Sequence, residues 1–447
     1  MKAWTKALEL ARATPPERNR YVDLLRALSI LVVVYGHWLA AAPYVAADGT
    51  VRATHILAEA ASSHWLTWVI QVMPVFFFVG GFSNGISWRA AQRKGSGYGV
   101  WLDGRLRRLV GPVLPLILVW ALLGVLGDLL GLSGEWIGAG SQMALIPVWF
   151  LAVYLGIALL VPLSHALWER LGLGSIVLLA GGAAVLDLGF FGSEVGSGWR
   201  SLSWLNYLFV WSAVHQLGYA WLDGKLAGPR RLGLFLIGLG GLALATSLGP
   251  YPISMVGVPG DLVSNTTPPK FVLLLLGSFQ VGGLLLLEPV AKRWLARERA
   301  WAGVVLVNGM IMSVFLWHMT SMVLLSGGAH LVGDLGLGAV PVSSTWWLLK
   351  PVWMLAWTLG LLVLLVGFLR FERGGSGRPA PAWRQVVGAL AVAVGLALLA
   401  HDGIDGSGPF GTRPVALAPI LLGALIGMPG GRKDPQDPPA PKSAGAR

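Results

Sequence analysis

The sequence predicts an all-α, polytopic integral membrane bundle of about eleven or twelve transmembrane helices, and three observations carry that prediction. The first is composition. Of 447 residues, 55% are hydrophobic and 12% charged, against about 25% charged in an ordinary soluble domain. A soluble fold must turn most of its exterior to water, whereas lipid accepts this much apolar surface. The second is that apolar stretches of spanning length recur along the whole chain. The third is that Lys and Arg collect on one side of the resulting topology.

In order, the stretches run 24–42, 65–87, 109–131, 143–163, 173–191, 202–222, 232–250, 271–290, 304–325, 346–369 and 384–401, with a short twelfth at 415–428. Pro74, Pro112, Pro115 and Pro147 do not break them, because neighbouring helices satisfy the freed backbone groups. Residues 1–22 hold no apolar run long enough for a signal-peptide core, so they are expected to be a cytoplasmic N-terminal segment. Residues 23–429 read as one transmembrane domain without internal repeats. Residues 430–447, rich in Pro, Gly and charge, read as a disordered tail.

With a cytoplasmic N-terminus and twelve alternating spans, 27 of the 33 Lys and Arg fall inside and five outside, while Arg26 lies within the first span. That bias follows the positive-inside rule. It accounts for the net charge of +12 without nucleic acid and points to a multi-pass protein of the cell membrane whose immediate partner is lipid. There is no cysteine, which excludes disulfides, thiolate metal sites and a cysteine acyl-enzyme. The eight histidines show no HxxxH or HExxH spacing, and no metal is expected.

Ionisable groups within spans are expensive and therefore mark function by default. In RYVDLLRALSILVVVYGHW, Arg26 and His37 lie eleven residues apart. At about 100° per residue they share one helix face, separated by about 16 Å, which puts His37 near mid-membrane. A neutral imidazole there can act as general base, and Arg26 can hold a phosphate or carboxylate. On this span alone, a helix with an ordinary core histidine explains the pair equally well. The loop 88–108 ends in Arg105, Arg107 and Arg108, which suit a polyphosphate or anionic lipid. Segment 73–88 (MPVFFFVGGFSNGISW) pairs Gly80 with Gly81 for close helix approach and adds Ser83 and Asn84, with Gln71 just before it. SVFLWHMT (313–320) places His318 deep in a late span. Asp128, Asp187, Asn206, His215, Gln216 and Asn308 are further polar groups within spans.

Taken together, these residues resemble the acyltransferase 3 family of membrane-bound acyltransferases. Asp23-Leu24-Leu25-Arg26, followed by ten residues and His37, matches its Arg-X10-His pattern. PVFFFVGGF is similar to its FFxxSGF segment and Arg105-Leu106-Arg107-Arg108 to its Arg-x-x-Arg loop. Trp149-Phe150-Leu151 resembles its WFL element, and Leu316-Trp317-His318-Met319 its LWHxP element. The chain departs from the family at Gly80, where Ser is usual, and at Thr320, where Pro is common. The resemblance implies acetyl-CoA or another acyl-CoA as donor, with no metal. It implies His37 as base, Arg26 in the catalytic site, and Arg105, Arg107 and Arg108 as donor-binding residues. Asp23, Asn84, Trp149 and His318 are substrate-binding or structural candidates. The acceptor it implies is a hydroxyl of a cell-surface glycan, lipid-linked sugar or secreted glycoside. A secondary transporter is the alternative; the missing two-fold repeat counts against it.

Overall fold

The first span begins where Asn19 makes it begin. Its side-chain oxygen accepts from the backbone N–H of Tyr21 (3.1 Å) and Val22 (3.4 Å), groups that a helix start leaves without intrahelical partners. The computed structural model describes residues 2–46, 48–131, 134–194, 196–372, 377–404 and 408–429, so the expected tail 430–447 lies outside the described residues.

An amphipathic helix α1 (Lys2–Arg12) precedes α2 (Arg20–Ala40). A small antiparallel hairpin follows, β1 (Ala41–Val45) paired with β2 (Val51–His55). The chain continues through α3 (Met73–Arg93), α4 (Tyr98–Val110), α5 (Val113–Leu129), α6 (Gly134–Leu145), α7 (Val148–Leu159), α8 (Val161–Leu171) and α9 (Leu173–Phe191). Then come α10 (Asn206–Leu222), α11 (Pro229–Ser247), α12 (Val272–Leu295), α13 (Glu298–Asn308), α14 (Ile311–Leu331), α15 (Ser344–Phe368), α16 (Ala382–Asp402) and α17 (Pro414–Gly427), with short helical turns between some of them.

Among the described residues, nine helical segments are long and apolar enough to cross a membrane, and ten if the bent pair α6–α7 is one span. The all-α polytopic bundle is therefore the fold. Two stretches counted in the sequence form helices shorter than a full span. α10 has 17 residues and α17 has 14, about 25 and 21 Å of rise against a hydrocarbon core of about 30 Å. α10 is buried continuously from Val210 to Trp221, so protein rather than lipid surrounds it. Outer helices show the reverse: Val366 on α15 is 86% exposed.

The two ends of the bundle are distinct. Near the start of α2, Arg12 pairs with Glu298 at 2.8 Å, and Arg20 donates to the Leu295 carbonyl at 3.0 Å. Near its finish, Val45 N–H donates to the Leu337 carbonyl and the Lys350 ammonium to that of Ala41. Arg-bearing segments thus meet at one end, while the hairpin and the loop 249–271 meet at the other, where Trp68 donates to Ile253 and Gln71 to Met255.

Candidate active site

Helix α2 sets the axis of the site. Leu28 and Tyr35, both exposed, mark its outward face. Arg26 and His37 each lie about 200° around the helix from one of them, on the face turned to the bundle. Both nevertheless keep accessible surface.

His37 lies in the last turn of α2, three residues or about 4.5 Å from its end. It therefore sits closer to the hairpin end of the helix than to the helix middle. The apolar run continues past Trp38 into Ala40–Val45, but the backbone turns to strand at Ala41, shortening the helix that the run had suggested.

There His37 meets His318. The two lie 281 positions apart in sequence, with Nδ1 of His37 2.9 Å from Nε2 of His318. The rings are inclined by only 13° with centroids 5.2 Å apart. His318 is fully buried, and its Nδ1 lies 2.7 Å from the Phe315 carbonyl oxygen. Trp38 ties the two helices together by donating its indole N–H to the His318 carbonyl at 3.1 Å. Glu372 fixes α14 along its axis: its carboxylate accepts from the N–H groups of Met312 (2.9 Å) and Ser313 (2.7 Å) at the helix start, a site where negative charge is favoured. On the hairpin side, burial and then the Lys350 ammonium push the His55 imidazole down to about 4, so at neutral pH this neighbour of His37 carries no charge.

At the other end, α3 gathers the arginines. Arg26 donates to the Ser83 hydroxyl at 3.0 Å and pairs with Asp23 at 3.3 Å; Asp23 also accepts from Arg18 at 2.7 Å. One turn along α3, Ser87 accepts from Arg105 and from the indole of Trp101 (3.1 Å). Arg26 and Arg108 are the cations acting electrostatically on Arg105. Arg26, Arg105 and the exposed Arg108 thus form one cationic group. Arg107 does not join it. Its guanidinium pairs with Asp103 at 2.9 Å and reaches the carbonyls of Arg378 and Pro429, which fastens α4 to the C-terminal segments.

Aromatic rings stand between the cations and the histidines. Phe76 lies seven residues from Ser83, about 10 Å along α3 towards the hairpin end. Phe150 packs against Phe76 and Phe77 (each 5.4 Å between centroids) and Phe315 (5.7 Å), and Phe315 lies 6.3 Å from His318. Trp149 sits to the side on Phe150 and Tyr207. Asn84, 1% exposed, meets His215 at 3.1 Å inside the α3–α10 contact. Ser87 and Phe315 were not singled out in the sequence, although Ser87 stands one turn from Ser83.

The other polar groups hold the frame. Asp187 accepts from Asn206 (2.9 Å), Tyr251 (2.9 Å) and the Phe271 N–H (2.6 Å), locking α9, α10 and the start of α12 together. Asn308 donates to the Asp23 carbonyl, and Gln216 to that of Ser164.

The family model described as an acyltransferase domain matches residues 19–369, a range that contains Arg26, His37, Ser83, Arg105, Arg108 and His318 but neither Arg18 nor the helix-capping Glu372. No curated protein and no solved structure matches the chain.

Proposed function

The chain belongs to the acyltransferase 3 family of membrane acyltransferases, and from that premise we propose that it moves an acyl group, in the first instance acetyl, from acyl-CoA to a hydroxyl. The observation that carries this reading is the His37–His318 hydrogen bond, on the same inward face of α2 as Arg26. It supplies a base at one end of that face and cations at the other, about 16 Å apart along the helix.

The cationic group formed by Arg26, Arg105 and Arg108 suits the phosphates of CoA, because guanidinium forks bind phosphate oxygens through paired, charge-assisted hydrogen bonds. The rings of Phe76, Phe150 and Phe315 give an apolar wall to the arm that carries the thioester. His37 then takes the proton of the acceptor hydroxyl as its oxygen attacks the thioester carbon. Cationic segments favour the cytoplasmic side, which supports donor entry there and acceptor entry at the hairpin end. A glycan, lipid-linked sugar or glycoside hydroxyl is the proposed acceptor.

The test is hydrolysis and transfer of [14C]acetyl-CoA by the purified protein in detergent, wild type beside His37→Ala. The reading expects CoA release by the wild type and at least a 100-fold loss in the variant, in line with the about 10²–10⁴-fold worth of a general base. Uptake of solute into proteoliposomes without acetyl-CoA turnover would establish a transporter instead.

A further inference from the structure

We propose that His318 is a positioning residue, which selects the tautomer of His37 that leaves Nε2 as its basic lone pair. This rests on the acyltransferase reading with His37 as base.

The argument runs from the inside outward. A carbonyl oxygen can only accept, so the 2.7 Å contact to Phe315 requires a proton on Nδ1 of His318. A neutral imidazole has one N–H, which leaves Nε2 bare. A second proton would put a charge on a fully buried ring whose hydrogen-bond partners are a carbonyl and another imidazole rather than a carboxylate. Such an uncompensated charge is costly. The bare Nε2 stands 2.9 Å from Nδ1 of His37, where two facing lone pairs would repel. Nδ1 of His37 therefore carries the hydrogen, and its Nε2 carries the lone pair.

The geometry supports a directed bond rather than ring stacking. The nitrogen–nitrogen distance of 2.9 Å is shorter than the thickness of two stacked rings, and the planes differ by 13°. The hydrogen bond therefore runs near both ring planes. His318 is sealed and His37 keeps accessible surface, so the inner ring orients and the outer ring reacts.

The transfer balances with this pair. The acceptor oxygen bonds to the thioester carbon while its proton passes to Nε2 of His37. The tetrahedral centre then collapses, the carbon–sulfur bond breaks, and the departing thiolate takes the proton back from Nε2. Throughout, Nδ1–H of His37 donates to Nε2 of His318, which steadies the transient imidazolium. A carboxylate in the same place would steady it more strongly, but it would bury a charge in the resting site.

Glutamine and asparagine separate orientation from packing. His318→Gln can place its side-chain oxygen where Nε2 stands and accept from His37. His318→Asn is shorter; it can keep the bond to Phe315 but leaves His37 without an acceptor. The expected result, read on [14C]acetyl-CoA turnover by the full chain in detergent, is a kcat about 100-fold or more below wild type for His318→Ala and His318→Asn. KM for acetyl-CoA should stay within about threefold, and His318→Gln should recover at least about tenfold over His318→Asn. Equal activity of the Gln and Asn variants, or a wild-type kcat in His318→Asn, overturns the proposal. A wild type that turns over no acetyl-CoA instead defeats the acyltransferase reading. The tautomer can be read without activity, by ¹⁵N-histidine solid-state NMR of the wild type in lipid, with resonances assigned through the His37→Ala and His318→Gln spectra. Protonated Nδ1 and bare Nε2 on both rings are expected; a proton on Nε2 of His37 overturns the proposal.

Discussion

A β-carbon added to Gly81 would lie 1.8 Å from the carbonyl oxygen of His215. That oxygen belongs to the backbone of α10 and cannot move without the helix. Gly218 answers from the other side, where an added carbon would lie 2.2 Å from the Phe78 carbonyl oxygen. α3 and α10 therefore cross with backbones in contact, and the polar groups of α3 keep their places around that crossing.

Gly81→Ala must separate the two helices. Its cost should exceed the about 1–3 kcal/mol usual for overpacking. Gly80→Ala should be milder, because its nearest obstacle is the Tyr154 ring at 2.9 Å, a side chain that can turn. Thermal unfolding in detergent, followed by size exclusion, should rank wild type above Gly80→Ala and Gly80→Ala above Gly81→Ala.

Arg105 and Arg107 should separate binding from stability. Arg105→Ala removes a cation of the group beside Arg26 and should weaken acetyl-CoA binding by about 10- to 100-fold, the worth of a charged hydrogen bond. Arg107→Ala breaks the pair with Asp103 and should lower the melting temperature while leaving affinity within about threefold. Titration calorimetry and thermal unfolding of both variants check this.

Lys270 should make stability depend on pH. It is fully buried beside the Phe190 ring, and burial pushes its ammonium from its ordinary 10.5 down to about 8, against the pull of Asp187. Between those values the unfolded chain binds a proton that the folded chain lacks, so stability rises as pH climbs from about 8 towards 10.5. Lys270→Met should flatten that rise in melting temperature measured across the window.

Asp187→Ala should strip three donors of their acceptor at once. Each buried group left unpaired costs about 1–3 kcal/mol, so the variant should show a sharply reduced yield of monodisperse protein. Asp187→Asn, which keeps an acceptor oxygen, should recover part of it.

The sequence makes the membrane bundle legible because spanning length and charge asymmetry are local properties of the chain. The shared face of Arg26 and His37 was legible for the same reason: helical periodicity alone places them. The partner of His37 was not, since His318 lies 281 residues away and only tertiary packing joins them. Arg105 and Arg107 look alike within RLRR. What separates them is Asp103, four residues before Arg107 and hence on its helix face, a signal present in the sequence but outweighed by the cluster. The end of α2 was not legible, because hydropathy does not report where helix turns to strand, as it does at Ala41.

The central claim, that His37 is the base of an acyl transfer, is tested most directly by acetyl-CoA binding and turnover in the purified wild type and His37→Ala, with folding verified for both. The account predicts saturable binding to both proteins and CoA release by the wild type alone. Turnover by His37→Ala at the wild-type rate, or no binding to either folded protein, would contradict it.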